Sequence, residues 1–154
     1  MGAAELLDTG VDDALQQALD YWQRLRGERN MPARKDLNPA DIPRLLPKLM
    51  LADVSDPEAD SKDPHIRFRL VGTEVVGRYG SELTGHRLSE IDYGSRADDV
   101  AALYRRAIDC AKPQFARIEF WQDHDRLIRT EHLLLPLSDD GTNVNMILVA
   151  VHWQ

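Results

Sequence analysis

Residues 67–91 read RFRLVGTEVVGRYGSELTGHRLSEI. The stretch enters as a strand, with Phe68 and Leu70 on one side and Arg67 and Arg69 on the other. It then breaks into two short helical pieces, TEVVGRYG and LSEI, punctuated by Gly72, Gly77, Gly80 and Gly85. Glycines between a strand and a helix often cradle phosphate. Gly72 and Gly77 have the glycine spacing of G-x-x-x-x-G-K-[ST], but Arg78 and Tyr79 stand where a lysine and a hydroxyl are needed. The dinucleotide fingerprint G-x-G-x-x-G is absent as well. The glycines therefore read as backbone geometry. Gly72 ends a strand, and Gly77, Gly80 and Gly85 let short helical turns fold tightly over a sheet.

Strands and helices extend from both ends of this stretch. Residues 48–54 are a strand with Leu49, Met50, Leu51, Ala52 and Val54 on both faces, which places it centrally in a sheet. The acidic, proline-bearing segment 55–64 is a loop. The strand over 65–72 alternates, with Ile66, Phe68 and Leu70 opposed to His65, Arg67 and Arg69, and lies nearer an edge. Downstream, residues 96–112 form a helix whose stripe is Val100, Leu103, Tyr104, Ala107, Ile108 and Ala111, with Pro113 stopping it. Strands follow over 114–122, 127–137 and 144–152, joined through the turn segments QDHD and SDDGTN. The last strand, like the first, is apolar on both faces. Upstream, VDDALQQALDYWQRLRG is an amphipathic helix with its stripe at Val11, Leu15, Ala18, Leu19, Trp22 and Leu25. Thr9 or Asp12 caps its start and Gly27 its end. Between it and the first strand, Pro32, Pro39, Pro43 and Pro47 leave room for one short helix over 39–46. Strands in runs rather than in alternation with helices indicate an α+β fold with an antiparallel sheet.

The chain has 154 residues, enough for one domain with its own core. Apolar residues make up 43% and charged residues 29%, as in ordinary globular proteins. The net charge of −7 argues against a nucleic-acid partner, which needs a basic footprint. Cys110 is the only cysteine, so no internal disulfide forms and a reducing compartment fits. Its place in a helix beside the apolar stripe marks it as a small buried hydrophobe. The start, MGAAELLDTGVDDALQ, lacks the basic-then-apolar pattern of a signal peptide, and Leu6 breaks a myristoylation pattern at Gly2. No apolar run has the length of a membrane span. The expected location is the cytoplasm.

Signs of catalysis are sparse. His65, His86, His124, His132 and His152 form no H-E-x-x-H, and a single cysteine builds no zinc knuckle, so no metal is expected. His132 and His152 lie on strands that bring them within reach of each other across a sheet. The pairs Asp98/Asp99 and Asp139/Asp140 mark a helix start and a turn. No G-x-S-x-G elbow occurs. Glu119 and Glu131, on neighbouring strands, are the one candidate acid–base pair, and they keep open a minor alternative, a small α+β enzyme. The primary reading is non-enzymatic. Tyr79, Tyr104, Phe115, Phe120 and Trp121 form an aromatic set able to line one cavity.

The segment GRYGSELTGHRLSEI resembles the helical portion of PAS domains, at Tyr79, Gly80, Glu82, Leu83, Gly85, Leu88 and Ile91. Two strands precede it; a long helix and three strands follow it, in PAS order. The wider sequence, YWQRLRGERNMPARKDLNPADIPRLLPKLMLADV, then RFRLVGTEVVGRYGSELTGHRL, then RTEHLLLPLSDDG, is similar to a bacterial branch of stand-alone, single-domain PAS proteins formerly catalogued as a domain of unknown function. The likeness covers roughly residues 18–152.

That resemblance implies a five-stranded antiparallel sheet of spatial order 2-1-5-4-3, with helices and a ligand pocket on one face and the N-terminal helix on the other. Residues 1–30 become an N-terminal helical extension, a packing or dimer element, and residues 31–154 a PAS-like domain. The implied function is a sensory or adaptor module of cytoplasmic signal transduction that binds a small, partly apolar ligand and acts through a protein partner. The alternative is a ligand-free dimerisation module. The implied pocket residues are Val76, Tyr79, Leu83, Leu88, Tyr104, Ile108, Phe115 and Met146, and the implied dimer or partner face is Leu15, Leu19 and Trp22. The implied partners are a second copy and a signalling protein such as a histidine kinase. No cofactor is expected. The cysteine loop of flavin photosensors is missing, and the helix over 96–112 has no histidine to bind haem.

Overall fold

Side-chain parity along the strands builds this molecule. The computed structural model describes residues 12–55 and 65–154. In the last strand, β5 (Met146–Trp153), Ile147, Val149, Val151 and Trp153 enter one apolar cluster, and Met146, Leu148 and Ala150 enter another. A strand buried on both faces must be central. The sheet has the order β2-β1-β5-β4-β3 and is antiparallel throughout, with β1 (Leu49–Ser55), β2 (His65–Val71), β3 (Gln114–Gln122) and β4 (Arg126–Leu137). The fold expected from the sequence is the fold observed, with strand ends within two residues.

Helix α1 (Asp13–Arg26) covers one face. Asp12 caps it, its carboxylate accepting the Ala14 N–H at 2.9 Å. The same carboxylate lies 3.4 Å from His152 Nδ1 and 4.0 Å from Lys48 Nζ, which fastens the start of the helix to the sheet. Leu15, Leu19 and Trp22 are buried against Leu133, Leu135, Leu137 and Leu148 of their own chain. These three residues, expected at a dimer or partner face, pack within their own chain. The other face carries α2 (Thr73–Tyr79), the turns over 88–96 and α3 (Ala97–Cys110). Thr9, Val11 and most of the 55–64 loop lie outside the described residues.

Two local expectations change. Residues 39–46 do not form one helix. Short 3₁₀ turns appear instead at Arg34–Asp36, Pro39–Asp41 and Leu46–Lys48. Pro43 forces Ile42 out of the helical region (φ −136°, ψ 49°) and cannot donate to the next turn. Cys110 is exposed, because it is the last residue of α3 and lies off the buried stripe of Val100, Leu103, Tyr104 and Ala107.

The glycines divide by physical need. Gly72 begins α2, and its N–H donates to the Leu49 carbonyl at 2.7 Å. A Cβ there would press into the carbonyl oxygens of Pro47 and Leu46 (2.5 Å from the latter), both backbone atoms that cannot swing aside. Gly77 lies inside α2 with open space around it, so no turn requires a glycine there. We expect Gly72→Ala to destabilise the protein by about 2 kcal/mol. Gly77→Ala should stabilise it by about 0.5 kcal/mol, through a less flexible unfolded chain. Urea midpoints of the two variants check this; equal midpoints would refute the packing account of Gly72.

Candidate functional site

The face under α2 and α3 buries an unusual number of polar atoms. Tyr79 closes α2 and is held there by Gly80, which ends the helix in the left-handed region at φ 81°. Tyr93 follows the turn at Leu88–Glu90, and Tyr104 sits mid-way along α3. His132 and Trp153 point up from β4 and β5 into the same layer. Their rings touch edge to face, with Tyr79 5.9 Å from Tyr93 and 5.3 Å from Trp153, and Tyr93 5.3 Å from Phe120 and 6.2 Å from His132. Phe68 meets Tyr104 at 6.3 Å. Among the described residues, the hydroxyls of Tyr79, Tyr93 and Tyr104, the Trp153 indole N–H and His132 Nδ1 are buried without a well-formed hydrogen bond, although the Tyr79 and Tyr93 hydroxyls are near enough to interact with each other. Each such atom costs about 1–3 kcal/mol relative to a satisfied one. Five within one ring-lined layer mark a site able to accept a ligand or ordered water.

The histidine tautomer follows from its neighbours. The Thr130 hydroxyl donates to the Ile118 carbonyl at 3.1 Å. His132 Nε2 lies 2.9 Å from that same hydroxyl oxygen, so Nε2 must carry the proton and donate. Burial lowers the His132 pKa to about 4, which keeps the ring neutral at pH 7. Nδ1 is therefore a bare acceptor. Burial likewise raises the tyrosine hydroxyls: Tyr93 to about 12, Tyr104 well above 10.0, and Tyr79 well above it through burial and then the nearby Tyr93. They remain donors. The site thus offers four donors and one acceptor inside an apolar shell. A pocket of about 120 Å³ reaches Tyr93 from outside, between Leu88, Ile91 and Ala101.

Of the eight residues expected here, Tyr79, Leu83, Leu88 and Tyr104 lie in this cluster. Ile108 packs half-buried against it. Val76 is half-buried, and its neighbour Val75 takes the inward position. Phe115 and Met146 belong to the α1 face. A one-residue step along a strand changes the face. The inward residues of β3 are Ala116, Ile118 and Phe120, and those of β5 begin with Ile147. Trp121 is likewise on the far side and 56% exposed. Tyr93, His132 and Trp153 were not among the expected residues. For His132 the signal was available: it shares the parity of Ile128 and Leu134. His132 and His152 do not meet, since His132 stands opposite Val151 and His152 opposite Glu131, on the other face.

Glu119 and Glu131 do not form an acid–base pair. Each is opposite an arginine in the register, with Arg117 Nε 3.0 Å from Glu131 and Arg129 Nε 3.1 Å from Glu119. Each carboxylate is engaged by its own arginine rather than aimed at the other.

Among the described residues no helix is long and apolar enough to cross a membrane. No curated protein sequence matches the chain. Solved structures do match the fold. One is a light-oxygen-voltage domain whose mechanism was probed with a flavin analogue: 9% identity, TM-score 0.58, covering 75% of this chain and 82% of that one. A second is the LOV protein of Rhodobacter sphaeroides: 12% identity, TM-score 0.54, covering 76% and 68%. A third is the LOV domain of a blue-light activated histidine kinase from Erythrobacter litoralis: 13% identity, TM-score 0.51, covering 69% and 94%. Identities this low speak to the fold alone. The sequence itself matches the family model described as a PAS domain over residues 11–151. With its sheet order, its helical lid and nearly its whole length in agreement, this chain belongs to the PAS domain family.

Proposed function

We propose that this protein is a non-enzymatic sensory or adaptor module of cytoplasmic signalling, which takes up a small, partly apolar ligand and acts through a protein partner such as a histidine kinase. The convergence under α2 and α3 of five buried polar atoms, none with a well-formed hydrogen bond among the described residues, carries this reading. A protein with no ligand to satisfy would gain stability by replacing such groups with apolar ones.

Flavin and haem are not part of the proposal. A tricyclic flavin ring needs a flat slot, whereas the rings of Tyr79, Tyr93, Phe120 and Trp153 stand 5.3–6.4 Å apart, already in contact. Cys110 is exposed at the end of α3, and α3 carries no histidine to serve as an axial ligand.

Native mass spectrometry and the visible absorption spectrum of the purified protein test the reading, together with Tyr93→Phe and Tyr104→Phe. We expect a colourless small molecule, and weaker retention of it in both variants. A bare chain whose Tyr→Phe variants are each more stable by about 1 kcal/mol would sink the ligand, since an unpartnered hydroxyl only costs. A visible chromophore would sink the exclusion of flavin and haem.

The alternative, a ligand-free dimerisation module, is favoured by one feature. Trp121 is 56% exposed on the edge strand β3. Exposed large aromatics are enriched at interfaces. Trp121→Ser should shift a dimer to monomer in light scattering; a monomeric parent protein ends this alternative.

A further inference from the structure

A second opening lies on the opposite side of the sheet. The turns over 34–48 do not close fully on β1 and β2, and leave a cleft of about 410 Å³. Its walls are Leu37, Ile42 and Leu46 from the turns, and Leu51, Leu70 and Leu148 from the sheet. Leu70 is 55% exposed and Leu46 39% exposed, so the rim holds apolar surface against water. That volume falls within the ~300–1,000 Å³ of small-molecule sites.

Among the described residues, Arg34 is the only charged one lining the cleft. It is half-buried, and its guanidinium makes no hydrogen bond or ion pair among the described residues. Its neighbour Arg29 is different, paired with Asp36 at 2.9 Å. A half-buried cation held without a counter-charge among the described residues, beside an apolar trough, favours one kind of occupant. The occupant must bring an anion for the guanidinium and a hydrocarbon for the leucines.

We propose that this cleft binds an amphiphilic carboxylate, with its head on Arg34 and its acyl chain laid along Leu46, Leu70 and Leu148. At the ~30 Å³ that a water-sized group occupies in a liquid, the cleft holds on the order of a dozen non-hydrogen atoms. This points to a medium-length chain. A guanidinium binds a carboxylate in a planar, two-pronged fashion that a lysine cannot reproduce. The site is separate from the tyrosine–histidine cluster and does not depend on it.

Dodecanoate and dodecanol are the probes, used below their micellar concentrations in calorimetry and thermal melts of the full chain. One dodecanoate per chain should bind and raise the melting temperature. Arg34→Ala should weaken dodecanoate at least tenfold, the scale of one charge-assisted contact, and leave dodecanol unchanged. Arg34→Lys should recover only part of the loss. Leu70→Glu, at an exposed position that leaves folding intact, should abolish binding of both probes. Tyr93→Phe should affect neither. The proposal is overturned if dodecanoate fails to bind the parent chain, or if Arg34→Ala binds it as well as the parent does. It is equally overturned if Tyr93→Phe removes the binding, which places the probe in the other site. It also fails if Leu70→Glu turns a dimer into a monomer while dodecanoate gives no heat, since the occupant is then a second copy.

Discussion

A Trp22→Ala protein should unfold with about 4 kcal/mol less free energy than the parent chain. Trp22 is 3% exposed and fills the space between α1 and the sheet. Its indole N–H donates to the Pro136 carbonyl of β4 at 2.8 Å. Alanine removes the ring, leaves a cavity and strands that carbonyl in an apolar layer. The cavity supplies most of the cost, because a packed sheet collapses little around it. Trp22→Phe keeps much of the volume and loses the hydrogen bond, for about 1–2 kcal/mol. Both losses should be independent of protein concentration in urea titrations, because α1 packs on its own chain. A loss relative to the parent that changes with concentration would mean that α1 docks on a second copy instead.

How much of this was legible in the sequence depended on which physical rule was in charge. Where hydrophobic parity ruled, the reading was nearly complete. The two-faced apolar runs of β1 and β5 put both strands at the centre of the sheet, as observed. The stripe of α3 predicted Val100, Leu103, Tyr104 and Ala107 as its buried side. The same rule, applied residue by residue to the pocket, would have moved Phe115 and Met146 to the other face. Those positions came from the resemblance, not from counting parity along β3 and β5. Gly72 illustrates a different limit. Its need arises from the approach of the Leu46 and Pro47 carbonyls, a tertiary contact invisible in a local window. The cleft beside Arg34 was hidden for a related reason. Proline-broken 3₁₀ turns carry no periodicity, so nothing in residues 34–48 announces which leucines stay uncovered.

The α1 face also shows why charge did not translate into chemistry. Arg117, Glu131 and His152 stand side by side across β3, β4 and β5, and His152 reaches Asp12 at the start of α1. Glu131 is 2% exposed, and Arg117 keeps its head in water while pairing with it. The row crosses the sheet to the cap of α1, so the acidic and basic residues here anchor an element rather than line a catalytic cleft. Removing Arg117 would leave a buried carboxylate without its partner, the costly way to break such a pair.

Stability below neutral pH should be governed by His132, and the sign is fixed by its burial. Its folded pKa is about 4 against 6.5 in the unfolded chain. Above pH 6.5 neither state binds the proton, and the full stability is present. As the pH falls from 6.5 towards 4, the unfolded chain takes up a proton that the folded chain refuses. Stability then drops by about 1.4 kcal/mol per pH unit, reaching a loss of about 3 kcal/mol near pH 4. Below that both states are protonated and this contribution flattens. Carboxylates such as Asp36, whose pKa is lowered chiefly by the Ala33 N–H, add their own loss at lower pH. The clean measurement is therefore the difference between the parent chain and His132→Phe, by urea unfolding across pH 4 to 7. The stability of the parent relative to His132→Phe should fall on the acid side with the slope of one proton, and parallel curves would refute the assignment. A ligand that donates to His132 Nδ1 competes with protonation of the folded chain, so its dissociation constant should stay flat down to about pH 5 and rise as the pH falls through about 4. In His132→Phe that pH dependence should vanish, together with the hydrogen bond that produced it.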